Sequence, residues 1–376
     1  MADRWDIFCK VVDNFGDAGV TWRLALQLVQ EHGVAVRLWI DDLAALGRLC
    51  PELQPGLAEQ TIAGVKVRHW PEPWLDTPVA EVVIEAFGCK LPAAYENRLV
   101  EQRPAPVWVN LDYLSAEPWV GGCHGLPSMK SGGVRKFFFF PGFREDTGGL
   151  LREAWLLRQR LAFQGSEPAR QAFLGSLGVK PAEGAMLVSL FAYENPGITG
   201  WLEQLAHGPA LTHLLVPEGR ALGDVQAWAG TPLTIGSLLH RGQLSVQVLP
   251  FISQSDYDRL LWACDFNAVR GEDSFVRAQW AGRPMLWHIY RQDDYAHWEK
   301  LEAFLALYTA ALPEAAADAL RKVWRAWNME GDMAGGWAAL ASHWDALRRH
   351  ARQWCDELAA RPDLATALVQ FCRNSL

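Results

Sequence analysis

Short apolar runs alternate along this chain with longer stretches whose apolar positions recur at helical spacing. Residues 5–12 form an apolar run with β-branched members and predict a strand. Residues 13–19 are a loop. Across 20–32, Leu24, Leu28 and their neighbours fall on one face, and Gly33 supplies a stop. Further strands are expected at 34–40, 65–70, 82–87 and 107–111, with helices at 43–49 and 93–102. A glycine-rich loop is expected over 121–133, then a strand at 137–140, helices at 150–163 and 168–177, and a linker at 178–184. The pattern then restarts. Strands are expected at 185–191, 212–217, 245–249, 266–270 and 284–288, with helices at 197–206, 255–263 and 274–281. Beyond 293 the chain reads as almost wholly helical. Trp337, Leu340, Trp344 and Leu347 recur at steps of three and four, and Pro362 precedes a last helix at 364–372. Strand, helix and parallel strand in succession imply an α/β protein with two doubly wound sheets in tandem and a helical tail. Such a protein suits a two-lobed enzyme with a cleft between the lobes.

Composition narrows the class. The chain has 376 residues, 50% hydrophobic and 21% charged, which is globular and large enough for two domains. A net charge of −8 argues against a broad nucleic-acid surface. No apolar run reaches the ~20 residues of a membrane span, and residues 1–6 carry no secretory core. Seven widely spaced cysteines without a CxxC pair exclude a disulfide scaffold and a zinc ribbon, and point to a reducing cytoplasm. The ten histidines form no HExxH, so a histidine metal centre has no support. The nineteen tryptophans are spread out, as core packing requires.

In open α/β sheets, ligands bind beyond the carboxyl ends of strands. Two strand-to-helix loops there carry chemistry. The first is Asp13-Asn14-Phe15-Gly16-Asp17-Ala18-Gly19. Its two carboxylates, four residues apart, suit general-base work. Equally, Asp17 could cap the helix and Asp13 make an Asx turn. The second is Arg270-Gly271-Glu272-Asp273-Ser274-Phe275. A glycine before a helix N-terminus, with Ser274 at the expected N-cap and Arg270 beside it, suits the diphosphate of a nucleotide-linked substrate. Glu272 and Asp273 suit hydroxyl groups of a sugar or ribose. A capped helix with an acidic first turn explains the same residues. Phe191, Tyr193, Phe251 and Gln254 lie at neighbouring strand ends, where they could hold a base or simply pack.

Other motifs are set aside. Asp256-Tyr257-Asp258 is a DxD, but it falls in the first turn of an expected helix, so metal binding is not expected. Lys130-Ser131-Gly132-Gly133 lacks P-loop spacing, and no GxSxG elbow occurs. His288 and His297 read as structural or polar-contact residues. The absence of GxGxxG opposes a dehydrogenase.

The motifs Asp-Asn-Phe-Gly-Asp at 13–17, Phe-Ala-Tyr-Glu at 191–194 and Arg-Gly-Glu-Asp-Ser-Phe at 270–275 bear a family likeness. So does the continuation from Arg277 to Tyr290. The sequence resembles the EarP family, bacterial protein-arginine rhamnosyltransferases that modify elongation factor P. That resemblance implies a GT-B fold: an N-terminal domain over 1–180 for the protein acceptor, a C-terminal domain over 181–355 for dTDP-β-L-rhamnose, and a segment 356–376 returning to the first domain. It implies inversion at the anomeric centre, no metal or other cofactor, and support for ribosomes stalled at polyproline. It assigns Asp17 as general base with Asp13 as partner, their order open, and Asp13, Asn14, Phe15 and Asp17 to acceptor binding. Phe191, Tyr193, Phe251, Gln254, Arg270, Gly271, Asp273 and Ser274 are assigned to the donor. Glu272 is placed at the reacting centre, with its division of labour with Asp273 unresolved. Two alternatives remain: a metal-independent GT-B transferase with another donor or acceptor, and a protein that docks on elongation factor P without chemistry.

Overall fold

A computed structural model describes residues 4–12, 15–71, 73–74, 77–129, 134–291, 295–329 and 331–375. The chain divides into two compact units, Met1–Ala154 with Leu358–Leu376, and Trp155–Glu357. Each is built around a largely parallel sheet.

The first unit carries strands β1 (Arg4–Cys9), β2 (Ala35–Ile40), β3 (Glu59–Ile62), β4 (Val65–His69), β5 (Val82–Ala86), β6 (Val107–Leu111), β7 (Pro127–Met129) and β8 (Arg135–Phe139). Helices α1 (Gly16–His32), α2 (Leu43–Leu49), α3 (Ala93–Glu101) and α4 (Trp119–Cys123) connect them. The sheet order is β3-β4-β2-β1-β5-β6-β8-β7. The six inner strands run parallel, and β3 and β7 pair antiparallel at the edges. The central strands β1, β5 and β6 are buried almost throughout, as a sheet covered on both faces demands. The edge strand β3 alternates exposed and half-buried residues. It has no apolar run, which is why the pattern at 59–62 does not reveal it. The loop expected over 121–133 is interrupted by the end of α4 and by β7; residues 130–133 lie outside the described residues.

The second unit carries β9 (Met186–Leu190), β10 (Thr212–Pro217), β11 (Leu238–Arg241), β12 (Leu244–Leu249), β13 (Phe266–Arg270) and β14 (Met285–His288). Their order is β11-β12-β10-β9-β13-β14, parallel except for the β11 edge. Its helices are α5 (Leu156–Gln164), α6 (Glu167–Ser176), α7 (Gly197–His207), α8 (Leu222–Ala229), α9 (Gln254–Ala263), α10 (Asp273–Ala281), α11 (Ala296–Thr309), α12 (Glu314–Asn328), α13 (Met333–Ala341) and most of α14 (Trp344–Ala359). The boundary therefore falls at Ala154, not at residue 180. Phe173 and Leu174 of α6 pack with Leu187, Leu215 and Leu260 in the core of this unit, which draws α5 and α6 into it.

The last helix, α15 (Leu364–Ser375), belongs to the first unit. Asp363 caps it through the Thr366 N–H at 3.0 Å. Leu364, Leu368, Val369 and Cys372 join the core built on β1, β2 and α1. Phe371 meets Phe137 and Phe139 edge-on. Arg152 donates to the Ala359 and Arg361 carbonyls, fixing the approach to this helix. All seven cysteines are free thiols, and only Cys123 is not buried. Most tryptophans are buried, in keeping with core packing.

Candidate functional site

The residues singled out by the two loops fall into one group in each unit. In the first unit, β1 ends at Cys9 and the chain turns into α1 at Gly16. The helix begins four residues earlier than its apolar stripe implies, so its first turn takes in Asp17. Asp17 is 3% exposed. One carboxylate oxygen accepts the Val12 N–H at 2.8 Å. The N-cap is Phe15, without a side-chain capping bond, so Asp17 is not the cap. Its carboxylate is instead tied back to the loop and lies in the first turn of the helix. The buried thiol of Cys9 is pushed well up by desolvation, with Asp17 adding to the effect. That thiol is therefore no nucleophile. Asp13 and Asn14 lie outside the described residues.

Beside this loop the same unit holds a cavity of about 810 Å³. It opens at the carboxyl ends of β1, β2, β4 and β5, and Val12, Asp41, His69, Trp70, Trp74 and Phe87 line it. Nothing in the sequence marks these residues as lining a site. Their one signal is that most follow closely on a strand terminus.

In the second unit the aromatic residues after β9 and the cation at the end of β13 come together. Arg270 is 7% exposed, with its guanidinium carbon 4.6 Å from the Phe191 ring centre and 4.8 Å from that of Tyr193. Arg220 stands 5.4 Å from the Tyr193 ring, and its Nε donates to Glu194 at 2.8 Å. Gly271 has φ +59°, a left-handed turn that glycine adopts without strain. Its carbonyl accepts the Trp287 indole N–H at 2.7 Å.

Ser274 is not the N-cap. Glu272 takes that position, and Ser274 is the second residue of α10. Its hydroxyl accepts the Arg270 N–H at 3.1 Å and donates to the Arg270 carbonyl, so it closes the turn on itself. Asp273 accepts the Gln254 amide N–H at 3.2 Å, linking the first turns of α9 and α10. Glu272, Asp273, Gln254 and Phe251 are all half-buried.

The DxD aspartates part company. Asp258 is buried and forms a two-pronged ion pair with Arg277 of α10, at 2.8 and 2.7 Å. Asp256 pairs with Arg259 at the surface. Among the described residues no three His, Cys, Asp or Glu side chains gather as metal ligands.

Two residues near Tyr193 were not foreseen as site residues. Tyr290 stands 5.8 Å from its ring and is 41% exposed. His288 stands 5.3 Å from it and is buried. Burial, reinforced by Arg291 and Arg270, pushes the His288 imidazole down to about 3. Glu194 opposes that shift and Arg220 adds to it.

Comparison with known proteins shows the family and the fold. The family model for the elongation factor P (EF-P) rhamnosyltransferase EarP matches residues 5–373. The protein-arginine rhamnosyltransferase of Pseudomonas putida is 60% identical over 377 residues, covering 100% of each chain. A solved structure described as the basis for EarP-mediated arginine glycosylation of translation elongation factor EF-P is 49% identical, with a TM-score of 0.73 and 100% of both chains covered. An alpha-glucosyltransferase in complex with UDP and DNA, only 9% identical, shares the fold alone, with a TM-score of 0.52 over 98% of each chain. The architecture is that of the GT-B glycosyltransferases.

Proposed function

Since the chain belongs to the EarP family of elongation factor P rhamnosyltransferases, we propose the following course for its reaction. The protein is a glycosyltransferase that places rhamnose on an arginine of elongation factor P. Its donor is dTDP-β-L-rhamnose, held by the second unit. The observation that carries this reading is Arg270, a buried guanidinium held against Phe191 and Tyr193 at the end of a parallel strand. A diphosphate leaving group gains negative charge as its bond to the sugar breaks, and a cation fixed in advance stabilises that charge. Phe251 and Gln254 complete the nucleotide side. Glu272 and Asp273, at the start of α10, take the sugar and ribose hydroxyls.

The acceptor is a guanidinium with a pKa above ~12, a poor nucleophile while its charge is delocalised. Asp17 offers a buried carboxylate whose position is set by the Val12 N–H. It orients the guanidinium and draws the charge onto one side. The free nitrogen then attacks the anomeric carbon, the C–O bond to the diphosphate breaks, and dTDP departs with the electron pair. The new C–N bond acidifies the nitrogen, and its proton passes to Asp17. Attack opposite the leaving group inverts the centre. Asp13, Asn14 and Phe15 share in acceptor binding. No metal enters, because Arg270 and the first turn of α10 meet the charge on the diphosphate. On this reading the protein works in the cytoplasm and supports the relief of ribosomes stalled at polyproline.

The test is intact mass spectrometry of unmodified elongation factor P incubated with this protein and dTDP-β-L-rhamnose in EDTA. One deoxyhexose on a single arginine is expected. A product formed only with magnesium overturns the metal-free mechanism. A product formed from another nucleotide sugar and not from this one overturns the donor.

A further inference from the structure

His288 has no part in the reaction as described, yet it carries a feature that calls for one. The residue closes β14 and is 5% exposed. It sits opposite Arg270 in the parallel register, and its carbonyl accepts the Gly271 N–H at 3.3 Å. The ring lies edge-on to Tyr193 at 5.3 Å and to Trp327 at 5.8 Å. Its Nδ1 is buried without a hydrogen-bond partner among the described residues. A buried ring nitrogen without a partner is costly, and native structures keep such atoms few.

The charges around the ring come from four places in the unit. Arg270 ends β13, Arg220 follows β10, and Arg291 follows β14. Glu194, the one acidic group among them, follows β9 and is engaged by Arg220. Trp327 and Asn328 of α12 approach without charge. Burial and the three guanidiniums keep the imidazole neutral at physiological pH. A neutral imidazole carries one N–H. A neutral donor amid three cations fits an anion with several oxygens, because it adds a directed hydrogen bond without repelling the arginines.

We propose that His288 donates an N–H hydrogen bond to the diphosphate of the nucleotide donor, completing the subsite that Arg270 begins. This rests on the donor reading above. The residue is a binding group, and its ring also holds Tyr193 in place. A purely structural ring would account for that second duty alone, so the test separates the two.

The affinities of the full-length protein for dTDP and for thymidine are measured by calorimetry at pH 7.5. His288→Phe keeps an aromatic ring and removes the donor. It is expected to weaken dTDP binding roughly 10–100-fold, as for a lost hydrogen bond to a charged group, with thymidine changed by less than about twofold. His288→Asn, which restores an N–H, is expected to recover part of the loss. Equal weakening of both ligands, or of neither, overturns the proposal. Wild-type protein labelled with ¹⁵N-histidine gives a second readout that needs no variant. The Nδ1 resonance of His288 should move with dTDP and stay with thymidine, and an unmoved resonance also overturns it. Wild-type protein that binds UDP in place of dTDP overturns the donor identity only, and the comparison is then made between UDP and uridine. Wild-type protein that binds no nucleoside diphosphate overturns both readings.

Discussion

Asp258 and Arg277 meet in a two-pronged ion pair, both side chains almost wholly buried. Asp258 lies in α9 and Arg277 in α10, the two helices whose first turns bear Gln254 and Asp273. The pair ties together the two helices that bear residues proposed to hold the nucleotide. Removing one partner strands a buried charge, which costs about 3–5 kcal/mol. Arg277→Met should therefore lower unfolding stability by that order, measured by urea titration, and weaken dTDP binding as the helix starts separate. Asp258→Asn should reduce stability without creating or abolishing a response to magnesium.

Asp17→Asn keeps the shape of the side chain and its bond to Val12 while removing the proposed base. Loss of a general base typically costs 10²–10⁴ in rate. The product formed, followed by intact mass, should fall by that factor. Binding of elongation factor P, followed by calorimetry, should change little. Retained turnover would remove Asp17 from the reaction.

Gly271 holds a left-handed φ of +59° between Arg270 and the first turn of α10. A side chain there costs about 1–2 kcal/mol. Gly271→Ala should lower stability by that amount and loosen the Arg270 turn, so dTDP affinity should drop alongside the melting temperature.

His288 makes stability depend on pH. Its folded value, about 3, lies below the ~6.5 of an unfolded histidine. Between those values the unfolded chain binds a proton that the folded chain does not. Stability from this residue is therefore complete above pH ~6.5 and declines as pH falls. Going from pH 7 to pH 5 should cost the wild type about 2 kcal/mol more than His288→Asn, read from urea unfolding at the two pH values. An equal loss in both proteins would show that the imidazole titrates normally.

Leu368 of α15 is fully buried in the first unit's core. Leu368→Ala should destabilise that unit by about 2–5 kcal/mol. Limited proteolysis should then cut first within 1–154 or 358–376, leaving the second unit intact for longer.

Much of this fold is legible in the sequence. Buried parallel strands such as Val82–Ala86 and Phe266–Arg270 announce themselves as mostly apolar runs, broken by Glu85 in the one and by Asn267 in the other, because both faces of the sheet are covered. Both loops of interest follow strands that the pattern locates, and the resemblance named the chemistry. The short edge strands β3, β7 and β11 are not legible there. Each is only half covered and leaves no apolar run.

By itself the sequence determined the α/β alternation, the two loops and the family. Tertiary structure decided who partners whom. It put Arg277 against Asp258, nineteen residues away, which takes that carboxylate out of any metal site. It put α15 into a core begun at Trp5, gathered the cavity from the ends of four strands, and set a neutral His288 among three arginines. Periodicity along a chain reports whether a residue is covered, because burial is a local demand with a fixed helical or strand spacing. It does not report what does the covering, since that partner is chosen by packing between segments whose distance along the chain leaves no period to read.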